Sequence, residues 1–259
     1  MELEKALEKL GIDKPKKFQR NLLDRLLKGQ DVVCIVPTGS GKSLVFQLLA
    51  LRLDKLVVVI EPHLALEMDQ VKKLLEHDIP AAYINSLLSE AERKTVLEQV
   101  RNGSLRLLYL TPEMLQNKAV RACLRANPSG ALMVDEAHCV VKQGSGFRED
   151  YLRIHEVIKA IRPRPVVGAF TATATPRTEE EIIYRLNLRD PYVCRKSITR
   201  DNITLSAIEI GHGLGGKKML ILSSSASGKE SVSFWIRWMK AAPSFTATPS
   251  IRQRSCGNI

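Results

Sequence analysis

The sequence predicts an α/β fold in which a parallel sheet is covered by helices on both faces. Apolar runs alternate with segments of helical spacing over residues 1–205, and strands that alternate with helices pair in parallel. Runs such as Leu56–Ile60 contain no polar residue, which is typical of a strand buried on both faces. A glycine-rich turn joins the first strand to a helix, so we expect a ligand site at the carboxyl ends of the strands.

Each element of this prediction follows from its local pattern of apolar residues. Two amphipathic helices are expected over residues 2–10 and 17–28, and Gly29 ends the second. Strands are predicted at 32–36, 56–60, 81–84, 105–110, 131–134 and 166–170. Further helices are predicted at 42–50, 65–76, 89–101, from Pro112 onward, at 150–161 and at 176–186.

The composition argues for a sizeable core and against a membrane partner. Apolar residues make up 44% of the 259 residues, and no apolar run approaches the length of a membrane span. The N-terminus, Met1–Lys5, is charged and is not a signal peptide. The cysteines are far apart without metal-binding spacing, so we expect reduced thiols in a cytoplasmic protein. They are Cys34, Cys123, Cys139, Cys194 and Cys256.

The net charge of +11 is unevenly distributed along the chain. Residues 211–259 contain seven Lys or Arg and one Glu, a net charge of +6. Residues 1–210 therefore hold 39 − 7 = 32 basic and 28 − 1 = 27 acidic residues, a net charge of +5. The motif-bearing part of the chain is only mildly basic, so charge alone does not predict nucleic-acid binding.

The turn after the first strand has the residues of a phosphate-binding loop. Backbone N–H groups at the start of the following helix would point at an anion, and the helix dipole favours it. Lys42 would reach the β- and γ-phosphates, and the Ser43 hydroxyl would bind Mg²⁺. Val36 stands where the general pattern has its first glycine. The predicted cradle consists of Thr38, Gly39, Ser40, Gly41, Lys42 and Ser43.

An acidic tetrapeptide, Asp135-Glu136-Ala137-His138, follows the apolar strand at 131–134. At that position Asp135 faces the phosphate-binding loop, where it can hold Mg²⁺, usually through water. Glu136 can orient an attacking water. For His138 two interpretations stay open: a functional role, or local packing and capping.

These motifs resemble the first RecA-like domain of superfamily 2 helicases, most closely the RecQ type, over residues 1–205. Pro37–Ser43 has the superfamily 2 form of the loop, and Gln19 occupies the place of the adenine-reading glutamine. The resemblance implies ATP and Mg²⁺ as cofactors. Four further segments match in order: Glu61–Val71 and Leu108–Leu115 resemble DNA-contacting motifs, Phe170–Ala174 the coupling motif, and Ser197–Ile203 the segment that closes the domain.

The resemblance also assigns coupling and DNA-binding roles. They fall on Asp69 and Gln70 in the first DNA-contacting segment, on Thr171 and Thr173 in the coupling motif, and on Phe147 and Arg148 in an aromatic loop. In that loop Tyr151 also matches, whereas Gln143 stands where the family has a tryptophan. Base stacking contributes about 1–3 kcal/mol per base, so this replacement would weaken the sensing of single-stranded DNA.

The resemblance divides the chain into N-terminal helices with the glutamine motif (1–30), a RecA-like domain (31–205) and an irregular tail (206–259). The tail from residue 211 contains nine Ser, one Glu and no Asp. It is either a flexible tail or, as a hypothesis, a divergent or frame-shifted version of a second RecA-like domain. No match to the second domain's arginine finger is found, so weak activity of this chain alone is expected.

The sequence thus predicts the ATP-binding motor domain of a RecQ-like ATP-dependent DNA helicase. Its expected partners are single-stranded or forked DNA and a second RecA-like domain encoded separately, in DNA repair and recombination. A bacterial protein of this kind would be nucleoid-associated. Two alternatives stay open. A DEAD-box-like RNA helicase fits the surroundings of Gln19, since Lys14–Gln19 resembles that family's glutamine motif. A non-catalytic nucleotide-binding fragment fits the missing second domain.

Overall fold

The computed structural model describes residues 1–141 and 149–196, together with the backbone of two strands at 219–225 and 231–237. The chain forms two compact units, Met1–Ser197 and Ile198–Ile259. Several predicted segments lie outside the described residues: Gln143, Phe147, Arg148 and the closing segment Ser197–Ile203.

The first unit is built on a seven-stranded sheet in which every pairing is parallel. The strand order is β3-β4-β2-β5-β6-β1-β7. All carboxyl ends therefore lie at one edge of the sheet, as the alternation of strands and helices predicts. The strands are β1 (Val32–Ile35), β2 (Val57–Ile60), β3 (Ala81–Ile84), β4 (Leu107–Leu110), β5 (Ala131–Val134), β6 (Val166–Thr171) and β7 (Tyr192–Arg195).

Helices cover both faces of this sheet and form two hydrophobic cores. One core packs α1 to α4 against one face, and the other packs α5, α7, α9 and α10 against the opposite face. The helices are α1 (Leu3–Lys9), α2 (Lys17–Leu27), α3 (Lys42–Arg52), α4 (Leu64–Glu76), α5 (Glu90–Arg101), α6 (Pro112–Leu115), α7 (Lys118–Ala126), α8 (Glu149–Leu152), α9 (Ile154–Ala160) and α10 (Pro176–Arg185).

The predicted fold class is confirmed, and each of the six predicted strands is present within a few residues. The single helix predicted over 150–161 is wrong, because it is divided at Arg153 into α8 and α9. Arg153 has φ −93° and ψ −3°, and its N–H bonds Asp150 three residues earlier, which breaks the α-helical ladder. The sequence pattern also missed α7, β7 and a 3₁₀ turn at Ala137–Val140.

The second unit contains an antiparallel pair, β8 (Met219–Ser225) and β9 (Ser231–Arg237), in which Leu222 is the register partner of Phe234. The apolar run Leu220–Leu222 lies within β8. Within the described ranges, no helix is both long and apolar enough to span a bilayer.

Candidate nucleotide-binding site

The loop between β1 and α3 is shaped by two glycines in the left-handed region. Gly39 has φ +74° and Gly41 has φ +87°, a conformation that glycine adopts without steric cost. Gly41 is the N-cap of α3 and supplies no side-chain cap. The first backbone N–H groups of α3 are therefore available to an anion, and the helix dipole is oriented to attract it.

Lys42, the first residue of α3, lies against the acidic tetrapeptide after β5. Its Nζ is 3.0 Å from Asp135 Oδ1 and 3.5 Å from Glu136 Oε1, and only 9% of its side chain is exposed. Burial alone would lower the pKa of Lys42, but the two carboxylates outweigh it and raise the pKa above its usual value. The lysine-bearing turn and the acidic tetrapeptide thus meet at one edge of the sheet, as the sequence predicts.

The two carboxylates differ in their surroundings. Burial raises the pKa of Asp135, although Lys42 and the Glu136 N–H oppose this shift. That N–H donates to Asp135 Oδ1 at 2.9 Å, and the Tyr151 hydroxyl donates to the Asp135 carbonyl at 3.1 Å. The pKa of Glu136 is lowered, chiefly by His138. Glu136 has φ +46°, and such strained non-glycine residues concentrate at functional sites.

His138 connects the acidic tetrapeptide to the end of β6. Its Nδ1 is 3.0 Å from Thr171 Oγ1 and 3.2 Å from Glu136 Oε2. The Cys139 thiol and the Glu136 carboxylate together raise the pKa of His138 to about 10. Thr171 Oγ1 also donates to the Thr173 carbonyl at 3.2 Å, and the Thr171 carbonyl accepts from Val36 N–H at the start of the phosphate-binding loop. The predicted coupling motif therefore contacts both the acidic tetrapeptide and the start of the phosphate-binding loop.

Gln19 lies directly beneath the phosphate-binding loop. It is 2% exposed and is therefore not a solvent-facing residue of α2. Its Nε2 donates to the Gly41 carbonyl at 2.8 Å, and its Oε1 accepts from Lys16 N–H at 2.7 Å. Lys16 Nζ donates to the Ser40 carbonyl at 3.0 Å. This contact of Lys16 with the loop was not predicted, because a lysine before a helix is usually solvated.

Asp69 and Gln70 lie on α4 and contact neither Lys42 nor Asp135. Asp69 forms an exposed ion pair with Lys73 at 2.7 Å, and Gln70 accepts from Gln47 Nε2 of α3 at 2.9 Å. The structure therefore separates these predicted DNA-contacting residues from the predicted nucleotide-binding residues. The Gln47–Gln70 hydrogen bond links the two helices.

Two buried glutamates, Glu61 and Glu67, lie within the predicted DNA-contacting segment Glu61–Val71, but neither was predicted as a site residue. Burial and the nearby Asp135 raise the pKa of Glu61 to about 7, and its Oε1 accepts from His63 N–H and contacts His63 Nδ1. Burial raises the pKa of Glu67 to about 8, and its Oε2 accepts from Asn85 at 3.1 Å. Glu61 directly follows the apolar strand β2, and this position was the signal that could have identified it.

The residues present fit a bound Mg²⁺-nucleotide. The loop offers uncapped N–H groups, Lys42 supplies a buried positive charge, and Asp135 supplies a carboxylate of the kind that Mg²⁺ takes. Ser43 Oγ, half-buried, makes no hydrogen bond within the described residues. A parallel sheet with this loop and these facing carboxylates belongs to the RecA-like, P-loop class of α/β domain.

The comparison with protein families specifies this class further. A family model described as "DEAD/DEAH box helicase" matches residues 16–182, more than half of the chain. The chain belongs to the DEAD/DEAH box helicase family. The resemblance on which the sequence prediction depended is therefore confirmed at the level of the family.

The similar proteins are RecQ-type helicases. The probable ATP-dependent DNA helicase RecS of Bacillus subtilis (strain 168) is 37% identical over 196 residues, which cover 75% of this chain and 39% of that protein. The ATP-dependent DNA helicase RecQ of Synechocystis sp. is 40% identical over 210 residues, which cover 78% of this chain and 44% of that protein. The chain thus spans less than half the length of these relatives.

Solved structures support the fold. The DUF1998 helicase MrfA, in a crystal structure with DNA, superposes with a TM-score of 0.60 at 21% identity. The superposition covers 75% of this chain and 29% of that chain. At this identity the likeness establishes a shared fold, and the assignment to a family depends on the sequence comparisons.

Proposed function

We propose that this chain is the ATP-binding motor domain of a RecQ-like ATP-dependent DNA helicase, in which ATP hydrolysis drives strand unwinding. The observation that carries the proposal is the 3.0 Å contact between Lys42 Nζ and Asp135 Oδ1 at the uncapped N-terminus of α3. The relatives named as ATP-dependent DNA helicases support DNA rather than RNA as the substrate. Such a role implies a cytoplasmic location, at the nucleoid in a bacterium.

Each residue of the site has one expected task. Thr38, Gly39, Ser40 and Gly41 would wrap the phosphates, and Lys42 would neutralise the β- and γ-phosphates. Ser43 and Asp135 would hold Mg²⁺, which when bound supplies charge neutralisation for phosphoryl transfer. Glu136, kept ionised by its lowered pKa, would orient the attacking water.

Recognition of the base and coupling to DNA involve residues around this centre. Gln19 would read adenine, because an amide can pair with N6 and N7 of the base together, and its hydrogen bond to the Gly41 carbonyl holds it beside the phosphate-binding loop. His138 and Thr171 are suited to report the nucleotide state, since they connect Glu136 to the end of β6. Thr173 continues this chain of contacts.

DNA would be held by segments outside the nucleotide centre. Asp69 and Gln70 on α4 would contact the backbone of the single strand, and the Gln47–Gln70 hydrogen bond connects α4 to the phosphate-binding helix. Phe147 and Arg148 would add base stacking and a phosphate contact. We also propose that the DNA substrate is forked and that a second RecA-like domain, encoded separately, works together with this chain.

Nucleotide binding by the full 259-residue chain tests the central claim. We would titrate the chain with a fluorescent ATP analogue in the presence of Mg²⁺. Lys42→Ala should reduce the affinity at least about tenfold, because a buried cation that faces the phosphates is lost. Lys94→Ala, which removes an exposed lysine on α5, should leave the affinity unchanged. Equal binding by the two variants would refute the proposed site.

A further inference from the structure

Two cysteines face each other across neighbouring strands of the sheet. Cys34 on β1 is the register partner of Cys194 on β7, and both side chains belong to the same hydrophobic core, so they point to the same face. Both thiols are free. Cys34 is fully buried, whereas Cys194, on the strand at the edge of the sheet, is 9% exposed.

The spacing of paired strands suits a covalent bond between these residues. Neighbouring strands lie about 4.7–4.9 Å apart. A disulfide needs a Cα–Cα separation of about 4.4–6.8 Å. Register partners on one face of the sheet meet this requirement without moving either strand far.

The two thiols also differ in acidity and burial, so one is suited to attack peroxide and the other to attack the resulting sulfenic acid. The interaction with Cys34, helped by Lys196, lowers the pKa of Cys194 to about 7. The same interaction, together with burial, raises the pKa of Cys34. Cys194 is therefore the more acidic thiol of the pair, and it is also the less buried of the two residues.

We propose that Cys34 and Cys194 form an oxidisable dithiol, which hydrogen peroxide converts to a disulfide that cross-links β1 to β7. The Cys194 thiolate attacks one peroxide oxygen, the O–O bond breaks, and the departing hydroxide takes up a proton to leave as water. The resulting sulfenic acid is attacked by the Cys34 sulfur, and its hydroxyl leaves with the Cys34 proton as a second water. Two thiols are oxidised and one peroxide is reduced.

The cross-link would restrain the strand that leads into the phosphate-binding loop, since Cys34 is two residues before Val36. It would also fix β7, the last strand of the first unit. The reaction itself does not require that the chain binds ATP. The proposal is therefore independent of the proposed function.

Peptide mapping by mass spectrometry tests this proposal. The purified full chain would be treated with hydrogen peroxide, blocked with an alkylating agent and digested without reductant. We expect one cross-linked peptide pair, joining Cys34 to Cys194 with the loss of two hydrogen atoms, that dithiothreitol separates. Irreversible oxidation of Cys194 without a bond to Cys34 would overturn the proposal, as would a disulfide to Cys256 instead.

Matched variants separate this pair from the other thiols. Cys194→Ala should abolish the cross-link, whereas Cys123→Ala, at a buried thiol on α7 without a cysteine partner, should leave it intact. If Cys194→Ala fails to fold, Cys34→Val, an apolar replacement of similar size, provides the same comparison. Loss of the Cys34–Cys194 cross-link in Cys123→Ala, or a peroxide-induced disulfide in Cys194→Ala at the yield of the parent chain, would contradict the assignment.

Discussion

At the scale of the residue, Gly41 is constrained in two ways. Its φ of +87° is unfavourable for any side chain, and a Cβ there would lie 2.7 Å from Gln19 Nε2. Gly39, at φ +74°, has nothing within 4 Å of a Cβ. Left-handed backbone costs an alanine roughly 1–2 kcal/mol, and only Gly41→Ala adds a collision with the glutamine.

We therefore expect Gly41→Ala to destabilise the chain more than Gly39→Ala, by roughly 1 kcal/mol or more beyond the shared backbone strain. Gly41→Ala should also weaken nucleotide binding more strongly, because it displaces Gln19 from beneath the loop. Urea unfolding and titration with a fluorescent ATP analogue measure the two effects. Identical unfolding midpoints for the two variants would show that the contact with Gln19 is unimportant.

Glu67 makes the stability of the chain depend on pH. Burial raises its pKa from the usual 4.5 to about 8, so the folded state binds a proton that the unfolded state releases above pH 4.5. Its contribution to stability is therefore present below the unfolded pKa and is lost as the pH rises towards 8. Above that pH the ionised carboxylate remains buried with one hydrogen bond, from Asn85.

We predict that Glu67→Gln raises the free energy of unfolding above pH 8 by a few kcal/mol at most, on the order of the shift in pKa. Near pH 5 the difference from the parent chain should almost vanish. Glu76→Gln, an exposed glutamate on the same helix, is the control and should not change the pH dependence. Chemical denaturation at pH 5, 7 and 8.5 measures all three chains. A pH-independent effect of Glu67→Gln would show that its charge is not responsible.

At the scale of the element, one carboxylate anchors three strands behind the site. Asp31, 1% exposed, immediately precedes β1. It accepts from the backbone N–H groups of Val167 in β6 and of Arg189 before β7, both at 2.8 Å. It also forms a two-pronged pair with Arg164, at 3.1 and 2.7 Å. Because β1 leads into the phosphate-binding loop, this anchor fixes the base of the site.

We expect Asp31→Ala to lower the free energy of unfolding by about 3–5 kcal/mol, because it leaves a largely buried guanidinium and two N–H groups without their acceptor. Asp54→Ala, at a side chain that is 99% exposed, should change stability by less than about 0.5 kcal/mol. Urea unfolding measures both variants. A loss below about 1 kcal/mol for Asp31→Ala would mean that water replaces the carboxylate at no great cost.

The elements that the sequence predicted well are those with long or fully apolar patterns. β2 and β5 are buried along their whole length, so their continuous apolar runs were unambiguous. β7 was missed because it is a four-residue edge strand whose residues alternate in exposure, flanked by charged residues. The split at Arg153 was missed because residues 150–161 keep helical spacing across it.

The residues of the site also differ in whether a local sequence pattern could predict them. Lys42 and Asp135 could be predicted because their motifs follow recognisable strands, and their 3.0 Å contact agrees with that prediction. Asp31 could not be predicted, because its partners Arg164 and Arg189 are 133 and 158 residues away. Contacts of such sequence separation are set by sheet order, which a local pattern does not contain.

At the scale of the whole molecule, the chain represents only part of the proteins that it resembles. It spans 39% and 44% of the two relatives described above. Under the function proposed above, ATP would lie between this domain and a second RecA-like domain. An arginine supplied from outside the phosphate-binding loop contributes about 10³–10⁵ in rate. The activity of this chain alone should therefore be limited by the groups that it does not supply.

We predict that the purified 259-residue chain binds ATP weakly and hydrolyses it slowly, with little stimulation by single-stranded DNA. Adding the remaining part of a RecQ-type relative in trans should raise the hydrolysis rate, and Lys42→Ala should remove that gain. The measurement is phosphate release with single-stranded DNA, single-stranded RNA or no nucleic acid. Robust DNA-stimulated hydrolysis by the chain alone would show that no second domain is needed, whereas stimulation by RNA alone would favour an RNA helicase. If the added part still raises the hydrolysis rate of the Lys42→Ala variant, that activity comes from the added part rather than from the site between β1 and α3.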